Sequence, residues 1–144
     1  MLINKFEFTE LEKELAETDK SVLDYLAPDI GKVYVVAVTR ERCSACEKKK
    51  PKLRKLAKTI AEKHGKKIVF TQIHVRQPVG SQEESLRSKR VIGHYFYPTN
   101  LILLRTTDRG AIEFYRNVSP KMNELKRNIE VALEIATVIE EEIT

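Results

Sequence analysis

Val33-Tyr34-Val35-Val36-Ala37-Val38-Thr39-Arg40-Glu41-Arg42-Cys43-Ser44-Ala45-Cys46 is the stretch on which the fold turns. It begins with a continuous β-branched and aromatic run, the composition of a central strand buried on both faces of a mostly parallel sheet. It ends in two cysteines at CxxC spacing, which inside a cell reads as redox-active or metal-binding. Just downstream, Leu53, Leu56, Ala57, Ile60 and Ala61 recur at i, i+3, i+4, i+7 and i+8. That is the buried stripe of a helix, and Gly65 is placed to end it. The cysteines therefore stand where a buried strand gives way to a helix N-terminus.

Working outward, Ile68 to Val75 reads as the next strand, so strand, helix and strand form a βαβ crossover with the two strands parallel. A polar stretch from Gln77 to Arg90 contains a short helix. Asn100 to Arg105 and Ala111 to Arg116 are apolar-rich runs joined by Thr106-Thr107-Asp108-Arg109-Gly110, turn residues at hairpin length, which predicts an antiparallel pair. On the N-terminal side, Lys5 to Phe8 reads as a short strand. Residues 10 to 27 read as one broken or two short helices, from the capping-box spacing of Thr9 with Glu12 and of Ser21 with Asp24. Ser119 is expected to cap a last helix with Pro120 at its first position and Leu125, Ile129, Ala132, Leu133 and Ala136 on its apolar face. The order is βαβαβαββα: α/β, in three layers, with a central mixed sheet flanked by helices and a long C-terminal helix.

Composition narrows the function. The chain has 144 residues, 42% hydrophobic and 33% charged, enough apolar surface for a core and too much for a disordered charged tail. Its longest uncharged run, Val91 to Leu104, is 14 residues and is interrupted by Pro98 and Asn100, short of the about 18 that a membrane helix needs. Met1 to Leu15 is rich in Glu and lacks an apolar stretch, so neither a secretory signal nor a transit peptide fits, and the expected location is cytoplasmic. The net charge of +5 is uneven. Residues 40 to 67 hold 12 Lys and Arg against 3 acids, whereas residues 1 to 30 hold 3 against 8. The lysines from Lys48 to Lys67 occupy positions that the apolar stripe leaves free and have no interleaved aromatics for base stacking. They read as a solvated helix face, and nucleic acid is not an expected partner.

A structural zinc site needs two ligands besides the cysteines, and only His64, His74 and His94 are available. They fall on a helix end, a strand and a loop, with no second pair at ligand spacing, so redox chemistry is the expected use and no metal is called for. Two further features join the CxxC. Pro51 stands five residues after Cys46, and Gly93 with Tyr97-Pro98-Thr99 precedes an apolar strand. Together they resemble the thioredoxin superfamily, with its helix-kinking proline and its cis-proline–threonine motif. The resemblance implies one thioredoxin-like domain over residues 1–144, made of an N-terminal extension (1–29), a core (30–133) and a helical tail (134–144).

It also implies a thiol-disulfide oxidoreductase that exchanges disulfides with protein substrates, needs no cofactor beyond its own dithiol, and is served by an upstream reductase or oxidant. The alternative is a non-catalytic binding or redox-sensing module of the same fold. Physical chemistry points the same way for the sites. A cysteine at a helix N-terminus meets unpaired N–H groups and the positive end of the dipole, which favour thiolate, so Cys43 is the expected nucleophile. Cys46, one turn further in and expected to be more buried, resolves the mixed disulfide. The resemblance implies that Pro98, as a cis-proline, exposes the Tyr97 backbone to pair with substrate.

Departures from the superfamily pattern carry expectations too. Arg42 replaces the usual Trp, Ser44-Ala45 the usual Gly-Pro, and Ala37 the buried acid that would serve the second cysteine. Arg116 or Asn117 replaces a small glycine and would narrow and polarise the docking groove. His94, a lone loop histidine, reads as structural before it reads as an acid or base. Tyr95, Phe96 and Tyr97 read equally as a substrate wall or as core packing. Val131, Ile135 and Val138 make a second stripe on the last helix, either packed on the N-terminal helices or open to association with a second copy.

Overall fold

Every residue from Val33 to Val38 is buried, because the strand to which they belong, β2 (Val33–Arg40), is flanked on both edges and covered on both faces. β3 (Ile68–Val75) runs parallel to it on one edge and β4 (Thr99–Arg105) antiparallel on the other. β1 (Ile3–Glu7) pairs parallel with β3, and β5 (Ala111–Val118) antiparallel with β4, giving the order β1-β3-β2-β4-β5. The computed structural model describes residues 2–143. Five α-helices and a 3-10 turn (Gly65–Lys67) complete the described residues: α1 (Phe8–Glu17), α2 (Val22–Leu26), α3 (Ser44–His64), α4 (Glu83–Ile92) and α5 (Met122–Glu141).

Strand alternation sorts the core into two halves. Val33 and Val35 of β2 share one cluster with Leu56 and Ile60 of α3 and Leu125 and Ile129 of α5. Tyr34, Val36 and Val38 point the other way and share a second with Phe8 and Leu11 of α1, Leu26 of α2 and Ile92 of α4. Three layers result, and each fully buried Leu or Ile contributes about 1.5–3 kcal/mol by leaving water. The β4–β5 hairpin closes through Thr106, whose N–H donates to the Gly110 carbonyl at 2.9 Å, with Gly110 at φ +72°, a conformation that suits glycine.

Several local expectations are corrected. β1 begins at Ile3 and ends at Glu7, because Phe8 is fully buried as the first residue of α1. The cap of α1 is Glu7, whose N–H donates to the Glu10 carboxylate at 3.0 Å. The expected partner of Thr9, Glu12, is instead taken by Arg87 of α4 at 2.9 and 3.1 Å. Ser119 does not cap α5. It sits at φ +44° with its N–H donating to the Pro98 carbonyl at 2.8 Å, Pro120 is buried beside it, and the helix starts two residues later than expected, with Lys121 as its cap. At 20 residues α5 is about 30 Å long. Its second stripe does not pack on the N-terminal helices, which lie across the sheet: Ile135 joins the α3 side of the core, and Val131 and Val138 are exposed.

One polar clamp fastens the short α2. Ser21 Oγ accepts from the Asp24 N–H at 3.2 Å, and the Asp24 carboxylate accepts from Arg105 Nη2 at 2.9 Å and from the Ala111 N–H at 2.8 Å. The Ala111 N–H above all, then Ser21 and Arg105, hold that carboxyl below the usual carboxylate range. Asp24→Ala is expected to lower the urea midpoint of unfolding at unchanged slope. Asp24→Asn should lower it less, since an amide oxygen still accepts from Ala111 but loses the charge on Arg105.

Candidate functional site

The turn from β2 into α3 is tied down before the cysteines arrive. The Glu41 N–H donates to the Val75 carbonyl at 2.9 Å, and the Glu41 carboxylate accepts from the Gln77 N–H at 2.5 Å, so the turn rides on the end of β3. Arg40 donates to the carbonyls of Glu41 (3.3 Å) and Arg42 (3.4 Å), and Arg42 takes φ +57°, turning the chain into the helix. Cys43 is the N-cap residue of α3, and its Sγ accepts from the Cys46 N–H at 3.2 Å. The two sulfurs are joined in a disulfide across a Cα–Cα separation of 5.2 Å. Both residues are buried, at 7% and 5% exposure, so the expected contrast in burial is slight with the disulfide closed.

The Tyr97–Pro98 peptide bond is cis. Thr99 Oγ1 donates to the Phe96 carbonyl at 2.7 Å, and the Pro98 carbonyl is held by Ser119 as described, so both sides of the bond are pinned. Tyr97 is fixed on the α4 side. Its ring packs edge-on against His94 at 4.9 Å, Arg40 lies 5.3 Å from the ring centroid, and its hydroxyl is 3.0 Å from Ser85 Oγ. Tyr95 and Phe96 are exposed, at 78% and 65%, whereas Tyr97 packs against the core.

His94 is structural. It is 1% exposed, its Nε2 lies 2.8 Å from Ser88 Oγ, and burial, helped by the nearby cations Lys89 and Arg116, pushes its pKa down to about 4. It is neutral at physiological pH. His64 closes α3 and His74 lies on β3, and among the described residues no three His, Cys, Asp or Glu side chains converge on a metal position. Arg116 does polarise its surroundings. Its guanidinium donates to the carbonyls of Gly93 (2.6 Å) and Ile92 (3.4 Å) at the C-terminus of α4, where a cation is favoured, and pairs with Glu113 at 2.7 Å.

Beneath the disulfide the hydrophobic core stops. Ile3, Phe70, Val35 and Ile102 form one row across four strands, and the next row on the same face is Lys5, Gln72, Ala37 and Asn100. Beyond it stand His74 and Thr39. α3 arches over these polar rows and leaves a cavity of about 400 Å3 with Cys46 in one wall and Ala37 and Pro98 in others. Gln72 Nε2 donates to Thr39 Oγ1 at 2.9 Å, and that hydroxyl is 3.2 Å from His74 Nδ1. Cys46 and Pro98 thus meet at one cavity, while Tyr97 faces the opposite layer. The missing acid at Ala37 is legible in the sequence, but Gln72 and Asn100, its two cross-strand neighbours, are not. Their signal was register, which no local pattern states.

No protein-family profile matches the chain, and no curated protein matches its sequence. Solved structures do. Thioredoxin f from spinach chloroplast superposes with a TM-score of 0.57 at 17% identity, over 90% of this chain and 85% of that one. A thioredoxin from Trichomonas vaginalis gives 0.58 at 12% identity over 90% and 96%. A chain of the complex between ferredoxin:thioredoxin reductase and thioredoxin f2 gives 0.55 at 17% over 90% and 94%. With a mixed five-stranded sheet between helical layers and a close cysteine pair at the strand–helix junction, the chain has the thioredoxin fold.

Proposed function

We propose that the protein is a thiol-disulfide oxidoreductase exchanging disulfides with protein substrates through Cys43 and Cys46. The observation that carries this reading is the cysteine pair itself, close enough to bond, with Cys43 as the cap of α3 and its sulfur already accepting a backbone N–H. In the reduced protein the Cys43 thiolate attacks one sulfur of a substrate disulfide. The Cys43–substrate bond forms, the substrate S–S bond breaks, and one substrate thiolate leaves. Cys46, as thiolate, then attacks Cys43 Sγ, closing Cys43–Cys46 and expelling the second substrate thiolate. Two electrons pass from the dithiol to the substrate, and the reverse sequence oxidises a substrate dithiol. The Tyr97 backbone, held beside cis-Pro98, orients the substrate strand. An upstream reductase or oxidant resets the pair, and the cytoplasm is the setting in which we place it. No helix among the described residues is long and apolar enough to cross a membrane.

The test is turnover of a protein disulfide such as insulin with dithiothreitol present. Acceleration that is lost in Cys43→Ser supports the reading, and no acceleration leaves the fold as a binding or redox-sensing module.

The local charges set the expected redox poise, and Ala37 sets the expected rate of release. Arg40, Arg42, Lys48, Lys49 and Lys50 outnumber Glu41 and Glu47, a net +3 within seven residues of Cys43. This field adds to the helix dipole in favour of thiolate and hence of the reduced pair. Equilibration with glutathione should give a potential above the about −270 mV of a typical thioredoxin, by less at high salt. At Ala37 no carboxylate stands ready to take the Cys46 proton, so release should be slow near neutral pH and accelerate as pH rises. Ala37→Asp should speed release at neutral pH and flatten that dependence, as read by stopped-flow decay of the mixed disulfide.

A further inference from the structure

The cavity behind Cys46 is built for more than packing. Asn100 is only 4% exposed, lines the cavity, and its Nδ2 is buried with no hydrogen-bond partner. A buried amide N–H left without an acceptor destabilises the fold, and a bound acceptor would remove that cost. The neighbouring amide differs, since Gln72 is satisfied by Thr39.

Charge and surface identify the acceptor. The side chains of Lys5, Lys50 and Arg54 line the cavity and form no ion pair or hydrogen bond among the described residues, while Glu47 is the single acid in its wall. Leu2, Ile3, Leu53 and Met122 give the same cavity an apolar side. A volume of about 400 Å3 falls within the range of about 300–1,000 Å3 typical of small-molecule sites, which combine apolar walls with a few polar groups.

We propose that this cavity binds a small amphipathic organic anion. Its carboxylate accepts from the Asn100 amide in the field of Lys5, Lys50 and Arg54, and its hydrocarbon body lies against Ile3, Leu53 and Met122. The truncation at Ala37 supplies the room, because a longer side chain there would project into the space. The site lies on the α3 side of the sheet, opposite the layer that holds Tyr97, and its assay needs no disulfide exchange, so it stands or falls separately from the redox reading.

The probe is hexanoate, added to nitrogen-15-labelled protein while the side-chain amide signals of Asn100 are followed. We expect a saturable shift of that pair, and an affinity for hexan-1-ol, which has the same tail without the charge, that is about tenfold weaker. The double charge reversal Lys50→Glu with Arg54→Glu, on exposed positions, should weaken hexanoate at least about fivefold. Ala37→Leu should abolish the Asn100 shift by filling the cavity. The proposal is overturned if hexanoate moves Asn100 no more than a salt control does, if hexan-1-ol binds equally well, or if the charge reversal leaves the affinity unchanged.

Discussion

Cys46→Ser is expected to turn the protein into a covalent trap. Attack by Cys43 needs only the cap position and its N–H, both outside the mutated side chain, so mixed disulfides should still form. Their release loses an intramolecular thiol one helical turn away. A tethered nucleophile in good geometry acts as though enormously concentrated, so a millimolar external thiol is a poor substitute, and the lifetime of the mixed disulfide should rise on the order of a thousandfold or more. Non-reducing electrophoresis and mass spectrometry of a lysate should show adducts through Cys43. Cys43→Ser should show almost none. Because the two residues are about equally buried, the assignment of roles rests on the helix cap and not on accessibility. Equal trapping by both variants would falsify it.

Acid should strip stability from the protein through His94. In the fold its pKa is about 4, against 6.5 in an unfolded chain. Above pH 6.5 the imidazole is neutral in both states and the histidine adds no pH dependence. As pH falls from 6.5 towards 4, the unfolded state takes up a proton that the folded state refuses, and stability drains away. The whole difference amounts to about 3 kcal/mol, taking 1.36 kcal/mol per pH unit. Below pH 4 both states are protonated and the loss is complete. Urea unfolding at a series of pH values should show this slope, and His94→Gln, which retains a partner for Ser88, should lack it while the carboxylate-driven decline persists. A variant with the same slope as the parent would place the effect elsewhere.

How far these sites can be read from sequence depends on the range of the interaction. The β2 run, the α3 stripe and the hairpin turn are written in neighbours a few residues apart, and the structure follows them closely: β3 spans Ile68–Val75 and α3 stops at Gly65. Cys43 as a helix cap is equally local. Failures came where a partner lies far along the chain. Thr9 and Glu12 have the spacing of a cap, but Arg87, 75 residues away from Glu12, claims the carboxylate. Ser119 precedes a proline as caps often do, but the Pro98 carbonyl takes its N–H. The polar floor under Cys46 is assembled from four strands, and only their register brings Lys5, Gln72, Ala37 and Asn100 into one row.

The central place of β2 also governs which parts of the molecule open first. A strand bonded on both edges and covered on both faces surrenders its amide protons to solvent only in the largest fluctuations, whereas rim strands and short helices fray at little cost. In hydrogen–deuterium exchange β2 should be the last segment to label, after β5, none of whose residues is fully buried, and after the five-residue α2. The cysteine pair hangs from the end of that last-opening strand. Breathing at the rims of the sheet therefore leaves the sulfurs in place, and their geometry is the same whichever edge is momentarily loose.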